Sequence, residues 1–170
     1  ILLAFMGGQV GVEAALYYAL AYVVMGLAGF GVLMLLSDEA FECEEISDLA
    51  GLNQRNAWYA FVMLLVMFSM AGIPPLMGFY AKFAVIKALL AQGYIAVSVF
   101  AVVMSLIGAY YYLRVVKAMY FDSTEHANRP ISGTLFAKVI LSVNALLLLV
   151  WGVFPESVMS WVRTAMTSVF

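Results

Sequence analysis

The chain has 170 residues, of which 66% are hydrophobic and only 11% are charged, and its formal net charge is −2. Soluble domains carry about 25% charged residues, so this composition excludes an ordinary soluble protein. The slightly acidic balance excludes a basic nucleic-acid-binding surface, and a single cysteine excludes an internal disulfide and a cysteine-ligated metal cluster.

The first predicted element is a membrane span at residues 14–36, a run of 23 residues without Asp, Glu, Lys or Arg. Such a run exceeds the roughly 20 residues that a helix needs to cross about 30 Å of hydrocarbon. The glycines before it, Gly7, Gly8 and Gly11, predict a turn. Because the start ILLAFMGGQV lacks an initiator Met and a charged signal region, we interpret it as the end of a preceding helix and expect a fragment of a longer protein.

A polar stretch follows at residues 37–56 and holds six acidic residues, which we expect to be solvated. Ile46, Leu49 and Leu52 recur there at helical spacing and predict a short amphipathic helix at the membrane surface. Cys43 lies among the acidic residues and is predicted to be an unreactive surface thiol.

The next apolar segment, residues 57–91, is interrupted by Pro74-Pro75. As one straight helix its 35 residues would measure about 52 Å, which is too long for one crossing. The segment is therefore either two short spans folded back at the prolines or one span made of two half-helices joined by irregular backbone.

The distribution of basic residues favours the single broken span, because Lys and Arg in short loops prefer the cytoplasmic side. That arrangement places most of the basic residues on one side, namely Arg55, Arg114, Lys117, Arg129 and Lys138. Lys87 and Arg163 then lie towards the opposite side of the membrane. For a bacterial membrane it predicts cytoplasmic loops at 37–56 and 121–133 and a periplasmic C-terminus.

Two further spans are predicted at residues 94–120 and 134–153, after which Pro155 is expected to end the helix and leave a short tail. The predicted fold class is all-α, a polytopic transmembrane helix bundle of about four spans plus a partial one. Arg114 and Lys117 are interpreted first as anchors at the cytoplasmic end of the third span. His126 has no ligand partner at metal spacing and is expected to be solvated.

The stretch MAGIPPLMGFYAKF (70–83) carries the candidate site. Pro74 and Pro75 each lack an N–H, so several carbonyl groups lose their helical partners at a depth where each unsatisfied group costs several kcal/mol. Gly72 and Gly78 flank them and allow backbone or solvent to approach. The pattern predicts a hydrated cavity at a discontinuous helix, and a proline kink packed against neighbouring helices is the alternative.

Lys82 lies one turn after Gly78, on the same face. Nine residues, about 13 Å of helix, separate it from residue 91, which is farther than a lysine comfortably snorkels. Burial penalises the ammonium form of a lysine, so that a buried lysine can take up and release a proton when a nearby charge changes. The alternative is a fixed counter-ion to a carboxylate. Lys87 lies four residues from the span end, so snorkelling explains it.

These residues resemble a known family. MAGIPPLMGFYAKF, preceded by GLNQRNAW and followed by LIGAYYYLRVVKAMYF, is similar to the proton-translocating, antiporter-like membrane subunits of respiratory complex I, and above all to the C-terminal third of their N type. The M type carries glutamate where Lys82 stands, and the L type continues into a long lateral helix.

The resemblance implies a bundle of about fourteen helices with two inverted repeats, each holding one discontinuous helix. It implies that Lys82 is the central proton carrier of the second repeat, in a half-channel coupled to quinone reduction elsewhere in the complex. It also implies partner membrane subunits, a bacterial inner membrane, and flavin, iron–sulfur clusters and quinone bound by partner subunits, with no cofactor in this chain. The alternatives are a subunit of a multisubunit cation/proton antiporter and a structural scaffold in which Lys82 is a permanent ion-pair partner.

Overall fold

The computed structural model describes residues 1–37, 42–123 and 134–169, and the regular structure within these ranges is helical. The elements in chain order are α1 (Leu2–Phe5), α2 (Gly8–Leu36), a 3-10 turn (Ile46–Leu49), α3 (Leu52–Arg55), α4 (Ala57–Ala71), α5 (Met77–Ala91), α6 (Ile95–Phe121), α7 (Leu135–Val153) and α8 (Pro155–Val169). In the described ranges, three helices are long and apolar enough to span a membrane, α2, α6 and α7, and α4 is a shorter apolar helix. The polytopic helix bundle is confirmed. The loop positions assigned to Asp38, Glu39, His126 and Arg129 lie outside the described residues.

Helices α4 and α5 lie end to end along α2, which has 29 residues and is therefore about 43 Å long. A β-carbon on Gly29, in the second half of α2, would lie 3.3 Å from the side chain of Val66 in α4. In the first half of α2, the ring of Tyr17 meets the ring of Tyr80 in α5, with centroids 5.1 Å apart. The broken segment thus runs antiparallel to α2 as two half-helices. It does not fold back at the prolines.

Helix α7 covers the same bundle from another side and makes polar contacts with two helices, α2 and α4. The amide of Asn144 donates to the carbonyl of Val24 in α2 at 3.3 Å. The indole N–H of Trp58, at the start of α4, donates to the hydroxyl of Ser142 at 2.8 Å. These contacts join α7 to the middle of α2 and to the start of α4.

The two ends of the chain differ from the sequence-based expectation. Helix α2 begins at Gly8, six residues before the predicted span, because Gly8 makes the turn with φ +65°. Gly11 lies inside this helix, where a β-carbon would collide with the carbonyl group of Ala4. The turn predicted at all three glycines is therefore wrong for Gly11.

The prediction of a short tail after Pro155 is also wrong, because residues 155–169 form the amphipathic helix α8. Proline fits the first position of a helix, where its missing N–H has no partner to lose. One face of α8 is buried, through Val158, Met159, Val162 and Met166. The exposed Arg163 pairs with Glu156 in the same helix and with Glu13 near the start of α2, which connects α8 with the N-terminal part of α2.

Candidate functional site

Helix α4 ends at a glycine with left-handed backbone. Gly72 has φ +87° and ψ +39°, which glycine adopts without steric strain. Its N–H donates to the carbonyl oxygens of Phe68 and Ser69, both at 3.0 Å, and the N–H of Ile73 donates to that of Phe68 at 2.9 Å. This Schellman arrangement satisfies two of the last four carbonyl groups of the helix.

Lys82 provides the donors for the other two carbonyl groups. Its Nζ donates to the carbonyl oxygens of Met70 and Ala71, both at 2.9 Å. A bond in which the donor is ionised is about twice as strong as a neutral one. The C-terminus of a helix also carries about half a negative elementary charge, so the end of α4 attracts the ammonium group. The broken helix itself thus provides the electrostatic partner of Lys82.

The start of α5 is held against the last turn of α4. Pro74 and Pro75, which fill the gap, have no N–H that would need a partner. The N–H of Gly78, in the first turn of α5, donates to the hydroxyl oxygen of Ser69 in α4 at 3.0 Å. A β-carbon at Gly78 would collide with the carbonyl oxygen of Ser69, so only glycine allows this approach.

Two other glycines bring the break into close contact with its surroundings. A β-carbon on Gly72 would lie 3.0 Å from Cδ and 3.2 Å from Nζ of Lys82. A β-carbon on Gly152, in α7, would collide with the carbonyl oxygen of Pro75 and with Leu76. The irregular backbone is therefore covered by protein on one side, as it must be at membrane depth.

The side chain of Lys82 is half-buried and lines a cavity of about 390 Å³ between α2, α5 and α6. The hydroxyl-bearing residues of the cavity wall are Tyr18, Tyr22, Ser105 and Tyr112. A cavity holds water when it is large enough and offers two to four polar partners. The volume of about 390 Å³ is large enough for water, and the ammonium group of Lys82 and these hydroxyl-bearing side chains belong to the wall.

No carboxylate forms an ion pair with Lys82 in residues 1–37, 42–123 and 134–169. The interpretation of Lys82 as a fixed counter-ion therefore finds no partner within these ranges. The predicted combination of a break, flanking glycines and a nearby lysine is present in the structure. Its assignment as a proton-transfer site stays a prediction.

The structure places the secondary candidates away from the break. Lys87 is exposed on α5. Arg114 and Lys117 are exposed near the end of α6, where Lys117 pairs with Asp122 at 2.7 Å. Such an exposed pair contributes about 0–1 kcal/mol to stability, which fits an anchoring position.

Cys43 differs from the expected surface thiol, because only 6% of the residue is exposed. Burial, with a smaller contribution from Asp48, raises the pKa of its thiol to about 11, while Arg55 acts in the opposite direction. Its N–H donates to the hydroxyl of Ser37 at 3.0 Å. A thiol with so high a pKa carries little thiolate near neutral pH and is unreactive.

Sequence reasoning missed Ser69, Gly152 and the hydroxyl-bearing residues of the cavity wall. Ser69 is fully buried in an otherwise apolar helix, three residues before Gly72, and that isolated polar residue was an available signal. Gly152 and the tyrosines gave no such signal, because glycines and interfacial tyrosines are common in membrane helices.

A model of the family described as NADH:quinone oxidoreductase/Mrp antiporter, transmembrane, matches residues 1–108. The protein named NADH-quinone oxidoreductase subunit N from Neisseria gonorrhoeae is 66% identical over 98% of this chain and 34% of its own length. The protein of the same name from Methylovorus glucosotrophus is 53% identical over 96% of this chain and 34% of its own. The chain thus spans about a third of the length of these curated relatives.

The fold is also similar to a chain of respiratory complex I from Thermus thermophilus, whose structure was solved with bound aureothin. The TM-score is 0.80 and the sequence identity 29%, and the match covers 93% of this chain and 35% of the other.

Proposed function

Because the chain belongs to the NADH:quinone oxidoreductase/Mrp antiporter transmembrane family, we propose that it is part of a proton-translocating, N-type membrane subunit of bacterial complex I. The relatives named subunit N, which align with nearly the whole chain, support the type. On this proposal the protein lies in the inner membrane beside other membrane subunits, with the loops at 37–56 and 121–133 in the cytoplasm and the C-terminus in the periplasm. Flavin, iron–sulfur clusters and quinone belong to partner subunits, so that this chain is a translocase without a redox centre.

In the proposed mechanism Lys82 takes up and releases a proton between the end of α4 and the cavity. The single observation that carries the proposal is the position of its Nζ, which bonds two free carbonyl groups while the side chain lines a cavity with hydroxyl groups. The carbonyl groups stabilise the ammonium form, and water in the cavity would accept the proton. After proton loss the amine still has two N–H groups for the two carbonyl groups, so the broken helix keeps its partners in both states.

The proposal is tested by NADH-driven proton uptake in membrane vesicles that contain the full-length protein in its complex. Lys82→Ala should abolish or severely reduce the protons moved per NADH oxidised. Lys87→Ala is the matched control, since Lys87 lies on the same helix but is exposed, and it should leave the ratio unchanged. Normal proton uptake with Lys82→Ala in the fully assembled complex would overturn the proposal.

A subunit of a multisubunit cation/proton antiporter is a second candidate, because the matching family includes the Mrp antiporters. The two candidates differ in their driving force. Proton movement that depends on a sodium gradient and not on NADH would favour the antiporter. Movement that depends on NADH and not on sodium would favour complex I.

A further inference from the structure

Ser69 stands out among the polar residues of the spans. It is fully buried, and Ser98 is the other buried serine in the described parts of the chain. Ser98 bonds its own helix, donating to the carbonyl of Tyr94 at 2.9 Å. Ser69 instead accepts a bond from another helix, from the N–H of Gly78 nine residues later. It therefore connects the two halves of the broken span.

The bond between Ser69 and Gly78 and the bonds of Lys82 cross the same break but differ in kind. The ammonium group of Lys82 binds carbonyl groups of α4, so the strength of that contact depends on the charge of Lys82. The bond between Ser69 and Gly78 joins two neutral groups and keeps its strength whether or not Lys82 is charged. It can hold α5 in place while the other contact strengthens and weakens.

Because Gly78 and Lys82 belong to the same helix, the contact at Gly78 also fixes the position of Lys82. Residues four positions apart lie on the same face of a helix, one above the other, so Lys82 follows the position of Gly78. The collision that a β-carbon at Gly78 would make with Ser69 shows how closely the two turns approach. A small shift of α5 would therefore change the distances from Nζ to Met70 and Ala71.

We propose that Ser69 is a positioning residue that holds the first turn of α5 against α4 and thereby keeps Lys82 in reach of both the helix end and the cavity. This inference rests on the proposed proton transfer at Lys82 for its consequence, but the contact itself does not depend on it. Without the hydroxyl oxygen, the N–H of Gly78 loses its partner in a buried environment, and the break opens more often.

Two substitutions at Ser69 separate the effect of losing the hydrogen bond from the effect of losing side-chain volume. Ser69→Ala removes both, whereas Ser69→Cys nearly keeps the volume but offers only a weak acceptor. Ser98→Ala is the matched control, because it removes a buried hydroxyl that bonds the carbonyl of Tyr94 and does not connect α4 with α5. Hydrogen–deuterium exchange of peptides from residues 72–80, in the intact membrane complex, reports the contact. The pH profile of NADH-driven proton uptake reports the position of Lys82.

Both Ser69 variants should raise exchange at Gly78 by about tenfold and shift the pH profile, while Ser98→Ala should change neither. Unchanged exchange in Ser69→Ala overturns the proposal. Faster exchange with the parent's pH profile, in a complex where Lys82→Ala abolishes proton uptake, also overturns the positioning role but leaves the proposed function intact. If Lys82→Ala pumps normally, the proposed function fails. In that case the hydrogen–deuterium exchange at Gly78 in Ser69→Ala alone decides whether Ser69 holds α5 against α4.

Discussion

The ammonium nitrogen of Lys82 lies 2.9 Å from the carbonyl oxygen of Ala71, eleven residues earlier in the chain. Because Ala71 is the last residue of α4 and Lys82 lies in α5, this bond closes the gap left by the double proline. The broken helix and the half-buried lysine therefore depend on each other. The break exposes carbonyl groups that need a donor, and the lysine needs acceptors at membrane depth.

Lys82→Arg should keep the helix end satisfied but stop proton transfer, because a guanidinium group remains charged at all accessible pH values. Lys82→Met should abolish proton transfer and should also leave the carbonyl groups of Met70 and Ala71 without a donor. These unpaired carbonyl groups should lower the stability of the complex by about 1–3 kcal/mol. Proton uptake and thermal inactivation measured on the same membranes check the two effects. Full proton uptake with Lys82→Arg would contradict a carrier role.

Gly72→Ala should lower stability and proton uptake together. Its φ of +87° costs a residue with a β-carbon about 1–2 kcal/mol, and that carbon would lie 3.2 Å from Nζ of Lys82. Gly93→Ala is the matched control, since Gly93 has φ +80° but open space where the β-carbon would lie. Both variants should inactivate at lower temperature, while proton uptake should fall only with Gly72→Ala. An equal loss of uptake in both would show that backbone strain alone is responsible.

Gly152→Ala should displace α7 from the irregular backbone between α4 and α5, because the added carbon would collide with the carbonyl oxygen of Pro75. We expect a lower inactivation temperature and fewer protons moved per NADH. Gly26→Ala is the comparison, since a β-carbon there meets nothing within 4 Å and alanine favours a helix by about 0.8–1 kcal/mol over glycine. A Gly152→Ala variant as stable and active as Gly26→Ala would mean that α7 does not support the break.

Cys43 should react slowly with maleimide or iodoacetamide in the folded protein. Burial raises the pKa of its thiol from the ordinary 9.0 to about 11, so between pH 7 and 8 the reactive thiolate is about 100-fold less abundant than in the unfolded chain. The folded protein binds this proton more tightly, and labelling should therefore accelerate as the pH rises towards 11. Mass spectrometry of alkylated peptides checks this. A native labelling rate equal to the rate in denaturant at pH 8 would contradict the burial of Cys43.

Much of the fold could be predicted from residue patterns, and the exceptions have identifiable causes. The interruption at Pro74-Pro75 was predictable because proline cannot donate to a helical ladder. The helix at Pro155–Val169 was missed because the same residue that ends one helix can begin the next. The start of α2 was placed too late because Gly8, and not the first long apolar run, makes the turn.

The sequence by itself determined that the chain lies in a membrane, that its helices are interrupted at Pro74-Pro75, and that a lysine lies one turn beyond the flanking glycine. It favoured one broken span over two short spans, and the contacts of α4 and α5 with α2 decided between them. The cost of unpaired polar groups in hydrocarbon leaves few other structures for such a sequence. Only the tertiary structure decided what Lys82 contacts. Its partners are the backbone carbonyl groups of Met70 and Ala71, and every residue carries a carbonyl group, so no side chain in the sequence could mark them.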